Sequence, residues 1–480
     1  MTDDRQGTPD PLRWKALALL CLAFFMVILD AQIVILGLPS IEEDLGFSAG
    51  GVQWVMSAYL LSFGGLLLLG GRSADLLGRR RMFMVGTALF LIASLLCGLA
   101  WSGGVLIGAR VVQGVSAAIM APTALSILMT TFEEGPERNK ALGIWSAIGG
   151  MGATAALLIG GPLTDGLGWE WIFFINVPVA IGLLALAPIL LRESRGQVSE
   201  RAYDLGGAVT VTAALVLLVY AVVEAPDAGW GSTQTIGLIL ASGLLLAVFA
   251  GVESRSASPL VPLRIFGSRT LVGGNLVLAA LGMVAFGMSL IVSMYAQQVL
   301  GYSALEFGLG TTVMTVMAVV GSTAGQAIVT RIGFRPVATV GLALTGAGCL
   351  LLTQVSADGS YLGDIFFGLL IFGPGLGAAY VAASVATLAG VADQESGLAA
   401  ALNNAAFQIG GALGTAVVTT VAISETAGPD PLSALTEGFQ SAFAAAAVFS
   451  ALGVLFAILL LRRPGRPERV ESHPVGAQTD

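Results

Sequence analysis

Apolar residues along this chain come in blocks of about twenty, separated by short polar stretches, and no block alternates apolar with polar at every second residue. About twenty apolar residues is the length a helix needs to cross a bilayer core of roughly 30 Å. Inside lipid every backbone N–H and C=O must find a partner within the chain, so such blocks are helices. A membrane-spanning barrel would show short alternating segments instead. Fourteen spans are predicted, over residues 16–38, 52–71, 82–100, 105–130, 141–163, 171–191, 205–223, 235–252, 271–298, 305–329, 337–355, 363–388, 398–422 and 440–461. The first follows a charged segment, as the apolar core of a signal peptide does. It is too long for that, carries Asp30 and lacks a small-residue cleavage site after it, so it reads as a retained helix.

Charge sharpens the count. Only 11% of the residues are charged, against about a quarter in soluble domains. With the N-terminus placed in the cytoplasm, the inner segments hold Arg5, Arg13 and Lys15; Arg72, Arg79, Arg80 and Arg81; Arg138 and Lys140; Arg192, Arg195 and Arg201; Arg255, Arg264 and Arg269; Arg331 and Arg335; and Arg462, Arg463, Arg466 and Arg469. The one remaining basic residue, Arg110, lies within a span, and the outer loops hold none. A miscounted span would scatter these charges over both sides, so the positive-inside pattern supports the count and puts both termini in the cytoplasm.

The chain also repeats itself. Gly78 and Arg80, between spans 2 and 3, recur as Gly333 and Arg335 between spans 10 and 11; Gly143, opening span 5, recurs as Gly397, opening span 13. Two six-helix halves are implied, with spans 7 and 8 inserted between them. Two inserted spans leave the second half in the orientation of the first, and parallel repeats of this kind build alternating-access transporters.

Little conventional enzyme chemistry is available. Cys21, Cys97 and Cys349 sit in separate apolar blocks, as small hydrophobes do, and the only histidine, His473, lies in the polar tail. No metal or other cofactor and no nucleic-acid partner is expected. A phosphate-binding Gly-x4-Gly-Lys loop is missing, so ATP is not the direct energy source. A channel would want a ring of like residues, and a membrane enzyme a cluster of carboxylates or histidines. Lys15 and Lys140 are the only lysines, which fits a GC-rich bacterial genome.

Two charges lie well inside the spans. Asp30 is about eight residues from the outer end of span 1, and Arg110 about five from the outer end of the oppositely directed span 4. At roughly 1.5 Å per residue they share a depth in the outer half. A charge within the bilayer costs several kcal/mol unless paired or wet, and so is a functional candidate by default. The pair reads either as a structural ion pair or as a site where Asp30 takes a proton or a cationic substrate. A conformational change that separates the two changes the carboxylate's hold on a proton. Gln32, Gln113, Asn275, Gln326, Asn403, Asn404 and Gln408 are candidates to line a polar cavity, with interhelical hydrogen bonding as the plainer reading of each.

Several motifs make a family resemblance specific. The segment Gly70-Gly71-Arg72-Ser73-Ala74-Asp75-Leu76-Leu77-Gly78-Arg79-Arg80-Arg81 resembles the signature loop between helices 2 and 3 of the major facilitator superfamily, with Ser73 in place of an apolar residue. In that family the loop is a conformational latch between the halves, which assigns the role to Gly71, Asp75, Gly78, Arg79 and Arg80. Leu29, Asp30 and Pro39 resemble the span 1 signature of its fourteen-helix drug:proton antiporters, although Gln32 and Ile35 depart from it. Arg110, Gln113, Gly114 and Pro122 resemble the span 4 motif, whose arginine is implicated in proton coupling. Span 5 carries Gly143, Gly149, Gly150, Gly152, Gly160 and Gly161, of which Gly152, Gly160 and Gly161 are candidates for close helix packing. The family's Gly-Pro pair is replaced there by Ala156-Leu157. Trp169 to Phe173 and Asn176-Val177-Pro178 fit the pattern, with Glu170 in place of an arginine. Glu253, Pro259 to Leu263, Tyr295, Gln297, Gln298, Gly301 to Gly308, and the Asn403 to Gly411 stretch resemble later segments, so the likeness covers nearly the whole chain.

The resemblance implies an all-α integral membrane protein of the major-facilitator fold. Its parts are a cytoplasmic segment 1–15, a six-helix bundle 16–200, two inserted helices 201–256, a second six-helix bundle 257–461 and a cytoplasmic tail 462–480. It implies proton-coupled export of small amphipathic molecules (drug, antibiotic or secondary metabolite) across a bacterial cytoplasmic membrane, by a protein that works as a monomer and is not an enzyme. A proton symporter that imports a nutrient is the rival of the same fold.

Overall fold

The computed structural model describes residues 11–133, 136–194, 205–256, 259, 261, 263–389, 391, 396–424 and 431–461. Arg5, Arg195, Arg201, Leu260, Pro262 and the tail from Arg462 therefore lie outside the described residues, as do the side chain of Asp75 and the surroundings of Gly143, Gly149, Gly150 and Gly397.

The described chain is helical throughout: α1 (Arg13–Leu45), α2 (Ala49–Val52), α3 (Trp54–Leu77), α4 (Arg79–Gly98), α5 (Gly103–Thr131), α6 (Pro136–Leu167), α7 (Trp171–Phe174), α8 (Asn176–Leu190), α9 (Leu205–Ala228), α10 (Thr233–Arg255), α11 (Arg269–Met294), α12 (Ala304–Ile332), α13 (Phe334–Leu352), α14 (Phe366–Ala389), α15 (Ser396–Ser424) and α16 (Pro431–Leu460). Among the described residues 11 helical segments are long and apolar enough to cross a membrane, and shorter apolar stretches of α3, α6 and α9 supply the remainder of the fourteen crossings. Span 6 is not one continuous helix: α7 and α8 meet at Ile175, so the short α7 belongs to the same crossing as α8. The first helix is longer than its apolar block, running through Pro39 until Gly46 (φ 64°) turns the chain left-handed and ends it.

Most helix contacts fall within two sets of helices. In the first, α1 lies on α6, and α5 lies on α3 and α4; in the second, α11 lies on α15 and α16, and α14 lies on α12 and α13. The helices approach closely where a side chain is missing. A Cβ at Gly70 of α3 would strike the Ala118 carbonyl of α5, and one at Gly377 of α14 would strike the Ala318 carbonyl of α12. Without a hydrophobic force between helices in lipid, this close van der Waals contact holds them together. The inserted pair is peripheral. Its α10 packs mainly on α9, with Ser242 Oγ donating to the Ala214 carbonyl at 2.7 Å, and α9 covers the groove where α3 meets α15.

Direct hydrogen bonds join the two sets at the end of the bundle away from Arg13 and Leu460. Ser57 and Thr415 hydroxyls lie 3.2 Å apart, Ser293 Oγ donates to the Ile35 carbonyl at 3.1 Å, and Gln298 Nε2 donates to Glu42 Oε2 at 3.3 Å. The carboxylate of Asp165 accepts from Ala304 N–H and Leu305 N–H at the same end. The bundle is closed at this distal end.

Candidate functional site

The centre of the first set holds a charged and polar network in a mainly apolar interior. Arg110 Nη1, from α5, donates to Asp30 Oδ2, from α1, at 2.7 Å. Both residues are 0% exposed. Removing two charges from water is costly, and the cost is offset as the remaining donors and acceptors are matched. Both carboxylate oxygens of Asp30 have partners, as do Nε and Nη1 of Arg110. Asp30 Oδ1 accepts from Gln113 Nε2 at 3.1 Å and from Asn176 Nδ2 at 2.8 Å. Arg110 Nε donates to the Val55 carbonyl at 2.9 Å, and the guanidinium lies 4.3 Å from the Tyr59 ring centroid. That placement adds a cation–π contact.

Gln113 is the hub. Its Nε2 donates to Asp30 and, at 2.9 Å, to Ser94 Oγ; its Oε1 accepts from Arg110 Nη1 at 2.8 Å and from Cys97 Sγ at 3.3 Å. Both donors and both acceptor positions of the amide are used. The amide orientation follows, because a carboxylate accepts and a guanidinium donates. Helices α1, α3, α4, α5 and α8 each contribute a group, so any motion between them must rearrange the network.

The two charges predicted to share a depth are therefore in direct contact. For Gln113 the geometry matches the plainer of its two readings, interhelical hydrogen bonding: with every hydrogen-bonding position filled by protein, it belongs to the ion-pair network. Sequence reasoning did not assign Asn176, Ser94 and Tyr59 to the site. Asn176 carried a signal, an amide at the start of an apolar block, whereas a serine and a tyrosine within apolar helices carry none.

The other amides divide. Gln326 and Asn404 are exposed, and Asn404 Nδ2 donates to its own helix at the Ala400 carbonyl (3.1 Å). Gln32 is half-buried. Asn275 Nδ2 donates to the Leu271 carbonyl at 3.0 Å, leaving its Oδ1 buried without a partner. Asn403 Oδ1 and Gln408 Oε1 are likewise buried without partners. Gln408 faces the first set: a Cβ at Gly64 of α3 would lie 3.2 Å from the Gln408 Cβ. These three amide oxygens, like that of Gln53, are buried with an acceptor position unused.

The loop between α3 and α4 is built around Gly78, whose φ of 108° excludes most side chains, and Gly333 repeats that backbone with φ 86° between α12 and α13. A residue that sequence reasoning missed, Glu193, sits against Gly78 and fills the N-terminus of α4. Its Oε1 accepts from Arg80 N–H at 3.1 Å and its Oε2 from Arg81 N–H at 3.2 Å, while Arg79 N–H donates to the Ser194 carbonyl at 2.9 Å. A carboxylate at a helix N-terminus satisfies otherwise unpaired N–H groups and the helix dipole together. Gly71 lies opposite Pro122 of α5.

The glycines of α6 do two separate jobs. A Cβ at Gly152 would crowd Ile28 and the Phe25 carbonyl, and one at Gly160 would crowd Ile33, so both bring α6 against α1. Gly161 instead faces Leu305 of the second set. Through Ala156-Leu157, where the family pattern has Gly-Pro, α6 runs without a break.

Comparison with known proteins agrees with this architecture. The Major Facilitator Superfamily model matches residues 20–292 and 276–478. The puromycin resistance protein pur8 of Streptomyces alboniger is 39% identical over 462 residues, covering 94% of this chain and 91% of that protein. The cephamycin export protein CmcT of Amycolatopsis lactamdurans is 38% identical over 96% of this chain and 95% of its own length. Among solved structures, an inward-facing bacterial homolog of the human lysosomal transporter Spinster superposes with a TM-score of 0.68 at 19% identity, covering 95% of this chain and 98% of that one. By its helices, its repeat and these relatives, the chain belongs to the major facilitator superfamily, as a multi-pass membrane transporter in the fourteen-helix branch that holds drug and antibiotic exporters.

Proposed function

We propose that this protein exports small amphipathic molecules, drugs, antibiotics or secondary metabolites, from the cytoplasm in exchange for protons. The reading rests on one observation above all: an Asp30–Arg110–Gln113–Asn176 hydrogen-bond network buried where five helices of one half meet. A proton arriving on Asp30 removes the charge that Arg110 faces and turns one carboxylate oxygen into a donor. The bonds from α5 and α8 to α1 must then rearrange. Protonation is thereby converted into helix movement.

With both termini in the cytoplasm, the closed distal end is the outer one and the state is inward-facing, ready to load substrate from the cytoplasm. The substrate meets the groove between the halves, on the side where Gln408 of α15 faces α3 and its Oε1 lacks a donor. The latch of Gly71, Asp75, Gly78, Arg79 and Arg80 acts at the opposite, cytoplasmic end, where its α4 side is held by Glu193. Moving one charge down a potential of ~150 mV yields roughly 3.5 kcal/mol, enough for a substrate gradient of a few hundredfold per proton.

The test is transport in inverted vesicles. An imposed proton gradient drives uptake of a fluorescent amphipathic substrate by an exporter and drives its release by an importing symporter. Asp30→Asn abolishes the gradient-driven component under this reading, and full retention of it removes Asp30 from the mechanism.

A further inference from the structure

We propose that Asp165 is a positioning residue that holds the distal end shut by capping a helix of the opposite half. The inference builds on the alternating-access reading and concerns the state equilibrium, not the direction of transport. The first N–H groups of α12 have no partners within the helix. Ser303 and Glu306 satisfy part of the need locally: Ser303 Oγ accepts from Glu306 N–H at 3.2 Å, and Glu306 Oε2 accepts from Ser303 N–H at 3.0 Å. This capping box leaves Ala304 N–H and Leu305 N–H. Both are taken by Asp165, whose Oδ1 accepts from Ala304 at 3.2 Å and whose Oδ2 accepts from Leu305 at 2.9 Å.

Asp165 lies in the last turn of α6, in the first half, while α12 belongs to the second. Every early N–H of α12 is thus satisfied by protein only while the halves are together. Its carboxylate also places negative charge at the positive end of the helix dipole. Opening the distal end breaks both bonds and leaves the two N–H groups, like the already exposed carboxylate, to water. The cap therefore acts on the balance between states more than on folding. Gly161 makes the approach close enough, because a Cβ there would strike the backbone of Leu305.

The other distal seam, α3 against α15, supplies a remote reporter. Thr415 is fully buried there against Ser57, and Cys21, Cys97 and Cys349 are buried. Thr415→Cys in membrane vesicles is labelled with a membrane-impermeant maleimide applied at the distal face, without substrate or proton gradient. On this background Asp165→Ala raises the labelling rate about fivefold, the size of a lost helix cap of roughly 1 kcal/mol. Asp165→Asn, which keeps one acceptor oxygen, falls between. Ser303→Ala breaks the local box, leaves the cross-half bonds in place, and labels at the parent rate. An unchanged rate in Asp165→Ala overturns the proposal. So does a rise in Ser303→Ala equal to that in Asp165→Ala, since the effect is then fraying of α12. Failure of gradient-driven transport in the vesicle assay leaves these labelling rates untouched, so the two readings fail separately.

Discussion

Gly308 of α12 lies directly against the Leu157 carbonyl of α6, with no room for a Cβ between them, and one turn on Gly161 of α6 meets Leu305 of α12 in the same way. Helices from the two halves thus touch backbone to backbone at the distal end. The contact falls on the residue pair where this chain has Ala156-Leu157 in place of the family's Gly-Pro.

Gly308→Leu forces these helices apart in the closed state alone. Overpacking costs roughly 1–3 kcal/mol, which is about a tenfold shift in the balance between states. Substrate efflux is expected to fall by about that factor, while distal labelling of a Thr415→Cys reporter rises. Efflux and labelling at parent levels would show that the helices can separate at no cost.

Asn176→Ala takes one of the two donors from Asp30 Oδ1 and leaves a buried acceptor short of a partner. The expected loss of stability is about 1–3 kcal/mol, read as a lowered midpoint of thermal unfolding in detergent. A midpoint equal to the parent's would mean that Asn176 does not serve the carboxylate.

Glu193→Ala removes the cap from α4. Hydrogen exchange at the amides of Arg80 and Arg81 is expected to speed up by a factor set by roughly 1 kcal/mol, whereas Glu193→Gln, which retains an acceptor, changes it less. Unaltered exchange at both amides contradicts the capping role.

Much of this was legible beforehand because lipid allows so few solutions. Block length and one-sided arginines specified the crossings, and the matched depth of Asp30 and Arg110 anticipated their contact. The interruption at Ile175 left no trace, because both sides of it are apolar and helical. The partners Ser94, Tyr59 and Glu193 were equally silent, since a single polar residue in or beside a helix becomes informative only when another element brings its partner. Asp165 was hidden for the same reason: the groups it binds are backbone N–H groups more than a hundred residues away.

At the end near the termini, Arg13 of α1 donates to both oxygens of Glu137 of α6, at 3.1 and 3.0 Å. That hydrogen bonding, with the nearby Arg13 and Lys140 charges, holds the Glu137 carboxyl below its ordinary value. A carboxyl depressed in the folded state contributes stability above its unfolded value and loses it as pH falls through the folded one. The difference in unfolding midpoint between parent and Glu137→Gln should therefore be present at neutral pH and vanish in acid. A difference that persists in acid would assign the effect to something other than this ion pair.

The central claim is that the buried Asp30 carboxylate couples protons to export. Its most direct measurement is proton-gradient-driven substrate accumulation in inverted vesicles bearing parent protein or Asp30→Asn, alongside downhill substrate exchange without a gradient. The account predicts that the parent accumulates substrate, and that Asp30→Asn keeps downhill exchange while losing the gradient-driven part. Accumulation by Asp30→Asn at the parent level would contradict it.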